Sequence, residues 1–196
     1  DVGERIMPKL IERTKTLKVL NGENLAAEMG PIVTQAAHDR ITGYIAQGEK
    51  EGAKLLVDGR GFKGASAGDG CDKGFWMGGT LFDHVTTDMR IYKEEIFGPV
   101  LTLQTFNTES EAIELANSTK YGLSGMVYTK NNAIAQRVGR AIRAGTVWVN
   151  CFLIRDLTAP FGGFGISGIG REGGDYGIDF HSDLKTFQIL DDSLSE

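Results

Sequence analysis

The sequence predicts an α/β domain, a largely parallel sheet with helices on both faces. Between residues 100 and 150, apolar runs alternate with helix-periodic segments in the order strand, helix, strand, helix, strand. That order is the one βαβ units require. Helix-start residues stand where this scheme needs them, at Thr34 and at Thr108 with Glu111, because a hydroxyl before the first turn accepts an otherwise unpaired backbone N–H. The 196 residues are 41% hydrophobic and 24% charged, an ordinary globular composition with enough apolar mass to form a core.

Taken in chain order, Ile6, Leu10, Ile11 and Leu17 recur at helical spacing, and Asn21-Gly22 closes that first helix. Thr34 caps a second helix with Ala37, Ile41, Tyr44 and Ile45 on one face. Lys54 to Val57 is a short strand turned by Asp58-Gly59. Residues 59–74 form a glycine-rich loop, and extended chain resumes from Phe75 to Val85. Val100 to Phe106 is the next strand, followed by a capped helix carrying Ala112, Ile113, Leu115 and Ala116. A strand over Gly125 to Thr129 leads to a helix over roughly Asn132 to Ala144 with Ile134, Val138 and Ile142 every fourth residue. Gly145 sits where a helix C′ residue belongs. Thr146 to Asn150 reads as a buried strand, residues 162–177 as glycine-rich turns, and Leu184 to Leu190 as a final strand before an acidic tail. The expected organisation is a main domain over 1–180 with a terminal strand and tail over 181–196.

The charge balance excludes some functions. With 21 Lys+Arg against 26 Asp+Glu and a net charge of -5, the chain lacks the basic face that nucleic-acid binding needs. No apolar run approaches the roughly 18–20 residues of a membrane span. Residue 1 opens on an amphipathic segment without a secretory pattern, so a cytoplasmic setting is expected. Cys71 and Cys151 are far apart and form no disulfide framework. His38, His84 and His181 are scattered without metal-ligand spacing, so solvated or capping roles and no metal site are expected. Asn117-Ser118-Thr119 matches a glycosylation sequon that a cytoplasmic protein would not use.

Three stretches carry the functional reading: Lys93-Glu94-Glu95-Ile96-Phe97-Gly98-Pro99-Val100, then Gly145-Thr146-Val147-Trp148-Val149-Asn150-Cys151, and Pro160-Phe161-Gly162-Gly163 with Ser167-Gly168-Ile169-Gly170-Arg171-Glu172. From pattern alone Glu95 is a surface carboxylate and Phe97 a core residue. In order and spacing, however, the three stretches resemble the NAD(P)-dependent aldehyde dehydrogenase family, from about residue 29 to residue 190. The resemblance implies the catalytic-domain fold of that family and oxidation of an aldehyde to an acid. It implies that Glu95 accepts hydrogen bonds from the ribose hydroxyls beside the nicotinamide of NAD or NADP, a task suited to a carboxylate, and that Phe97 packs near the nicotinamide ring. It also implies that the loop after Asn150, with Cys151, Arg155 and Phe161, lines the aldehyde pocket. The family's nucleophilic cysteine and glutamate base have no matching position here, and neither does its Rossmann-type domain. The resemblance therefore implies no catalytic residue in this chain, an inactive fragment, and a parent that is a homodimer or homotetramer built partly through the final strand.

Within the pocket loop two residues have competing readings. Cys151 follows Val147, Trp148 and Val149, so it reads as a quiet buried thiol rather than a nucleophile, which would need thiolate-stabilising surroundings. Arg155 stands among apolar neighbours in Phe152-Leu153-Ile154-Arg155-Asp156-Leu157. It either pairs with Asp156 or another nearby carboxylate, or clamps a substrate carboxylate with its planar fork. The loop is most similar to those of hydroxymuconic and aminomuconic semialdehyde dehydrogenases, whose substrates carry a carboxylate. Gly165 stands where many family members have a lysine, and the change creates a formal G-x-G-x-x-G over residues 163–168. With no strand just before it and no βαβ unit after it, this reads as accidental. An alternative to the enzyme reading is a scaffold or interaction domain that keeps the fold without the chemistry.

Overall fold

A computed structural model describes residues 2–63 and 73–190. Their contacts group the chain into two compact units, Asp1–Asn107 and Thr108–Glu196, whereas the expected division lay after residue 180. Cys71 lies outside the described residues.

The first unit contains α1 (Val2–Lys15), α2 (Gln35–Lys50), β1 (Lys54–Val57), β2 (Thr80–Asp83), α3 (Arg90–Lys93) and β3 (Val100–Thr102). Helix α1 stops short of Leu17 because the chain turns away to form a parallel bridge between Val19 and Met29. Helix α2 begins as expected, with the Thr34 hydroxyl accepting the Ala37 N–H at 3.1 Å. It buries Ile41 and Ile45 completely, and they join Met77, Phe82, Ile91 and Ile96 in the core. Gly48 lets α2 approach that core, since a Cβ there would press on Ile91 and Phe82. β1 pairs antiparallel with β2, Leu55 opposite Phe82, and β2 pairs parallel with β3, Leu81 opposite Leu101. The parallel crossover from β2 to β3 runs through α3, which the sequence reading missed because four residues show no helical period. Extended chain over Phe75 to Val85 and strand over Val100 to Phe106 are both shorter here. Only the residues that find ladder partners become strand, although Phe75 makes a single bridge with Ile32.

The second unit contains α4 (Glu109–Asn117), β4 (Ser124–Val127), α5 (Asn132–Ala141), β5 (Thr146–Val149), a 3₁₀ turn (Gly165–Ser167) and α6 (Gly174–Phe180). Thr108 caps α4 through the Glu111 N–H at 3.1 Å, and Asn131 caps α5 through the Ile134 N–H at 3.1 Å. β4 and β5 are parallel, Ser124 opposite Thr146 and Val127 opposite Val149, and α5 packs on both. Asn117 ties the two helix ends, donating to the Ala141 carbonyl at 2.8 Å and accepting the Arg143 N–H at 2.7 Å.

The α/β class and the parallel pairing hold, but the expected single sheet is divided. Among the described residues the strands form a three-stranded sheet, β1-β2-β3, and a two-stranded sheet, β4-β5. Alternation of strand and helix fixes the connection type, not which strands become neighbours. Helix α5 ends at Ala141, so Gly145 is not its C′ residue. A Cβ at Gly145 would run into the Gly162 carbonyl, and this close approach is what calls for glycine. Helix α6 begins inside the stretch read as turns and runs beyond it to Phe180. Residues 182–190 make no strand here, and Leu184 is 98% exposed. An extended segment becomes a strand only against a partner's backbone.

Candidate functional site

In the first unit the expected cofactor contacts lie on the loop joining α3 to β3. Glu94, Ile96 and Gly98 are each in contact with α2. Glu94 accepts from the Tyr44 hydroxyl at 2.6 Å and from Arg90 Nε at 2.8 Å. The hydrogen bond to this carboxylate, with burial, raises the pKa of the Tyr44 phenol and keeps it protonated. The Ile96 side chain enters the core, while its carbonyl accepts from Arg40 Nη1 at 2.6 Å. Gly98 lies against Ile41, so that a Cβ there would strike the Ile41 side chain. Glu95 and Phe97 are exposed. Phe97 is 79% exposed and has φ of 53°, so it is not the core residue that pattern alone suggested. A non-glycine residue in the left-handed region costs about 1–2 kcal/mol, and such strain gathers at functional sites.

In the second unit the pocket loop leaves β5 at Asn150. This residue has φ of 55° and is pinned to Thr129 by two hydrogen bonds, accepting its N–H at 2.9 Å and donating to its carbonyl at 2.8 Å. Trp148 Nε1 donates to the Ile154 carbonyl at 2.8 Å, and the Phe152 ring meets the Trp148 ring edge-on at 5.7 Å. Cys151 is a free thiol and only half-buried, less enclosed than its apolar neighbours suggested.

Arg155 and Phe161 are brought together. The guanidinium lies 4.5 Å above the Phe161 ring and donates through Nη2 to Glu172 Oε1 at 2.8 Å. Glu172 is in turn held beside Phe161 by reciprocal backbone hydrogen bonds of 2.8 Å. Asp156, the nearest carboxylate in sequence, instead accepts from the Thr158 hydroxyl at 2.7 Å and the Thr158 N–H at 2.9 Å, bonds that lower its pKa. Glu172 was not singled out as a partner because it lies 17 residues away, with no periodic signal linking the two.

A concavity of about 330 Å³ opens beside the Pro-Phe-Gly-Gly turn, lined by residues that include Phe161, Gly163, Ser167 and Arg171. Arg155 and Cys151 are not in its lining. The formal G-x-G-x-x-G is a 3₁₀ turn whose Ser167 hydroxyl accepts the Gly122 N–H at 2.9 Å. Gly165 has φ of 59°, and a Cβ there would meet the Lys120 carbonyl, so glycine suits this backbone.

Of the histidines, His84 lies beside Asp83, His38 beside Asp39, and His181 ends α6 with Nδ1 2.8 Å from the Gly177 carbonyl. Among the described residues no cluster of His, Cys, Asp or Glu could hold a metal ion, and no helix is long and apolar enough to cross a membrane.

The model of the aldehyde dehydrogenase family matches residues 1–187. The chain belongs to that family. A betaine aldehyde dehydrogenase from Brucella anthropi is 40% identical over 189 residues, covering 96% of this chain and 38% of the relative. A 2-aminomuconic 6-semialdehyde dehydrogenase from a Pseudomonas species is 40% identical over 195 residues, covering 99% of this chain and 39% of the relative. Among solved structures, betaine aldehyde dehydrogenase from Staphylococcus aureus in complex with NAD+ matches with a TM-score of 0.83 and 38% identity, over 92% of this chain and 35% of that one. The chain thus spans less than two fifths of the length of the family members it matches.

Proposed function

We propose that these residues belong to an NAD(P)-dependent aldehyde dehydrogenase that oxidises an aldehyde to the acid, and that they furnish part of its cofactor site and the loop that receives the aldehyde. The family match over residues 1–187 carries this reading. The loop at 94–98 fits a dinucleotide in kind: an exposed carboxylate at Glu95 for paired hydroxyls, and an exposed phenyl at Phe97 for a flat ring. When bound, the nicotinamide supplies the hydride acceptor. Glu95 orients the ribose by accepting its hydroxyl hydrogens, and Phe97 shields one side of the ring from water.

The covalent part of the family reaction uses a cysteine nucleophile and a glutamate base that act as a unit. In our reading Cys151 is not that nucleophile, and the 196-residue chain alone does not turn over. The parent is a cytoplasmic homodimer or homotetramer. Purified chain assayed with NAD+ or NADP+ and several aldehydes is expected to show no turnover. Activity that disappears in Cys151→Ala would overturn the assignment.

For the substrate, we propose an aldehyde carrying a distal carboxylate, a semialdehyde. Arg155 supports this. One guanidinium N–H is engaged by Glu172 among the described residues, and the rest of the fork is open to an incoming anion. The 40% identity to a 2-aminomuconic 6-semialdehyde dehydrogenase agrees with it.

A further inference from the structure

We infer that helix α2 is the seat of the cofactor loop, with Arg40 and Tyr44 as positioning residues that set the direction in which Glu95 and Phe97 project. This rests on the reading of Glu95 and Phe97 as cofactor contacts. The loop makes little regular structure of its own, and its side-chain anchors come from α2 and from Arg90 of α3. Tyr44 and Arg90 divide the Glu94 carboxylate between them, one oxygen each, and Arg90 lies 5.0 Å over the Tyr44 ring. Arg40 holds the Ile96 carbonyl, and Ile41 leaves room only for glycine at Gly98.

Residues 94 and 96 are therefore tied back to α2 by positions 44 and 40, Gly98 backs onto Ile41, and Glu95 and Phe97 are left exposed. The Arg40 bond is charge-assisted and short, among the stronger kinds of hydrogen bond. It falls on the residue immediately before Phe97, whose left-handed backbone persists only while its surroundings hold it. Without Arg40, Phe97 relaxes to an ordinary φ, and both the phenyl and the Glu95 carboxylate swing away from their common direction. Tyr44 acts one residue further back, at Glu94, so its loss has a smaller effect of the same sign.

The test uses the full-length enzyme with four variants, Arg40→Ala, Arg40→Lys, Tyr44→Phe and Glu95→Gln. NADH affinity is read by fluorescence titration, and amide hydrogen exchange at residues 95–98 is read without cofactor. Arg40→Ala is expected to weaken NADH binding roughly tenfold, the scale of one charged hydrogen bond, and to speed exchange in the loop. Tyr44→Phe shifts both readouts in the same direction by less, and Arg40→Lys recovers most of the loss because an ammonium can still reach the carbonyl. If Arg40→Ala does not fold, Tyr44→Phe carries the test. Parent-like NADH affinity and exchange in Arg40→Ala, or in Tyr44→Phe where that is the variant available, with binding weakened in Glu95→Gln, overturns the inference and leaves the cofactor reading standing. Parent-like NADH affinity in Glu95→Gln overturns the cofactor reading, and the inference with it.

Discussion

An arginine resting on a phenyl ring and paired to a glutamate already has much of what it needs, and this limits the selectivity expected of the clamp proposed for Arg155. Its side chain is 44% exposed and that of Glu172 is 61% exposed, so the pair is screened and worth little to stability. A substrate carboxylate gains the open part of the fork but meets the Glu172 charge beside it. We expect the full-length enzyme to prefer a carboxylated aldehyde over a neutral one of equal length by about tenfold in kcat/KM, the scale of a single charge-assisted hydrogen bond. Arg155→Ala should abolish that preference by losing mainly on the carboxylated substrate. Equal losses on both substrates would make Arg155 structural and return the substrate to an unspecified aldehyde. The motifs marked Glu95, Phe97, Arg155 and Phe161 as candidates in the sequence. Arg40, Tyr44 and Glu172 were not, because their partners are 56, 50 and 17 residues away and a contact across that separation leaves no local pattern.

Helix starts were legible because a cap is a local event. Thr34, Thr108 and Asn131 each accept an N–H three residues on, and the first two were expected from the sequence. Replacing Thr108 by alanine should cost about 1 kcal/mol, seen as a lower urea midpoint with an unchanged slope. A midpoint equal to the parent's would mean the hydroxyl contributes nothing there. Helix α3 and the division of the sheet were not legible. Four residues are too few to show a period, and strand pairing depends on backbone partners rather than on side-chain order. Gly145 had a signal that pointed to the wrong cause, since it serves the close approach of Gly162 rather than the end of α5.

At the scale of the whole chain, the second unit leaves many large apolar side chains exposed. Leu184, Phe187, Ile189 and Leu190 are all strongly exposed on a segment without ladder partners, and Ile169, Ile178 and Phe180 are exposed beside it in sequence. Unpaired backbone edged with apolar side chains is a template for association. The 196-residue chain is therefore expected to self-associate, with light scattering showing species larger than a monomer and deletion of residues 184–196 shrinking them. A clean monomer at high concentration would count against this. Composition alone did not announce that surface, because a 41% hydrophobic content is compatible with full burial or with a face awaiting its cover.

The pocket loop is fastened where it begins and where it returns. Asn150 is bonded twice to Thr129, Gly145 touches the Gly162 carbonyl, and Phe161 is bridged to Glu172. The residues between, 151–160, carry the side chains proposed to meet the substrate but bear none of that fastening except through Trp148 and Arg155. Such a segment is a cassette. On the proposed reading, exchanging it whole for the equivalent stretch of another family member is expected to change substrate range within ten residues while the strand and turn that frame it stay as they are.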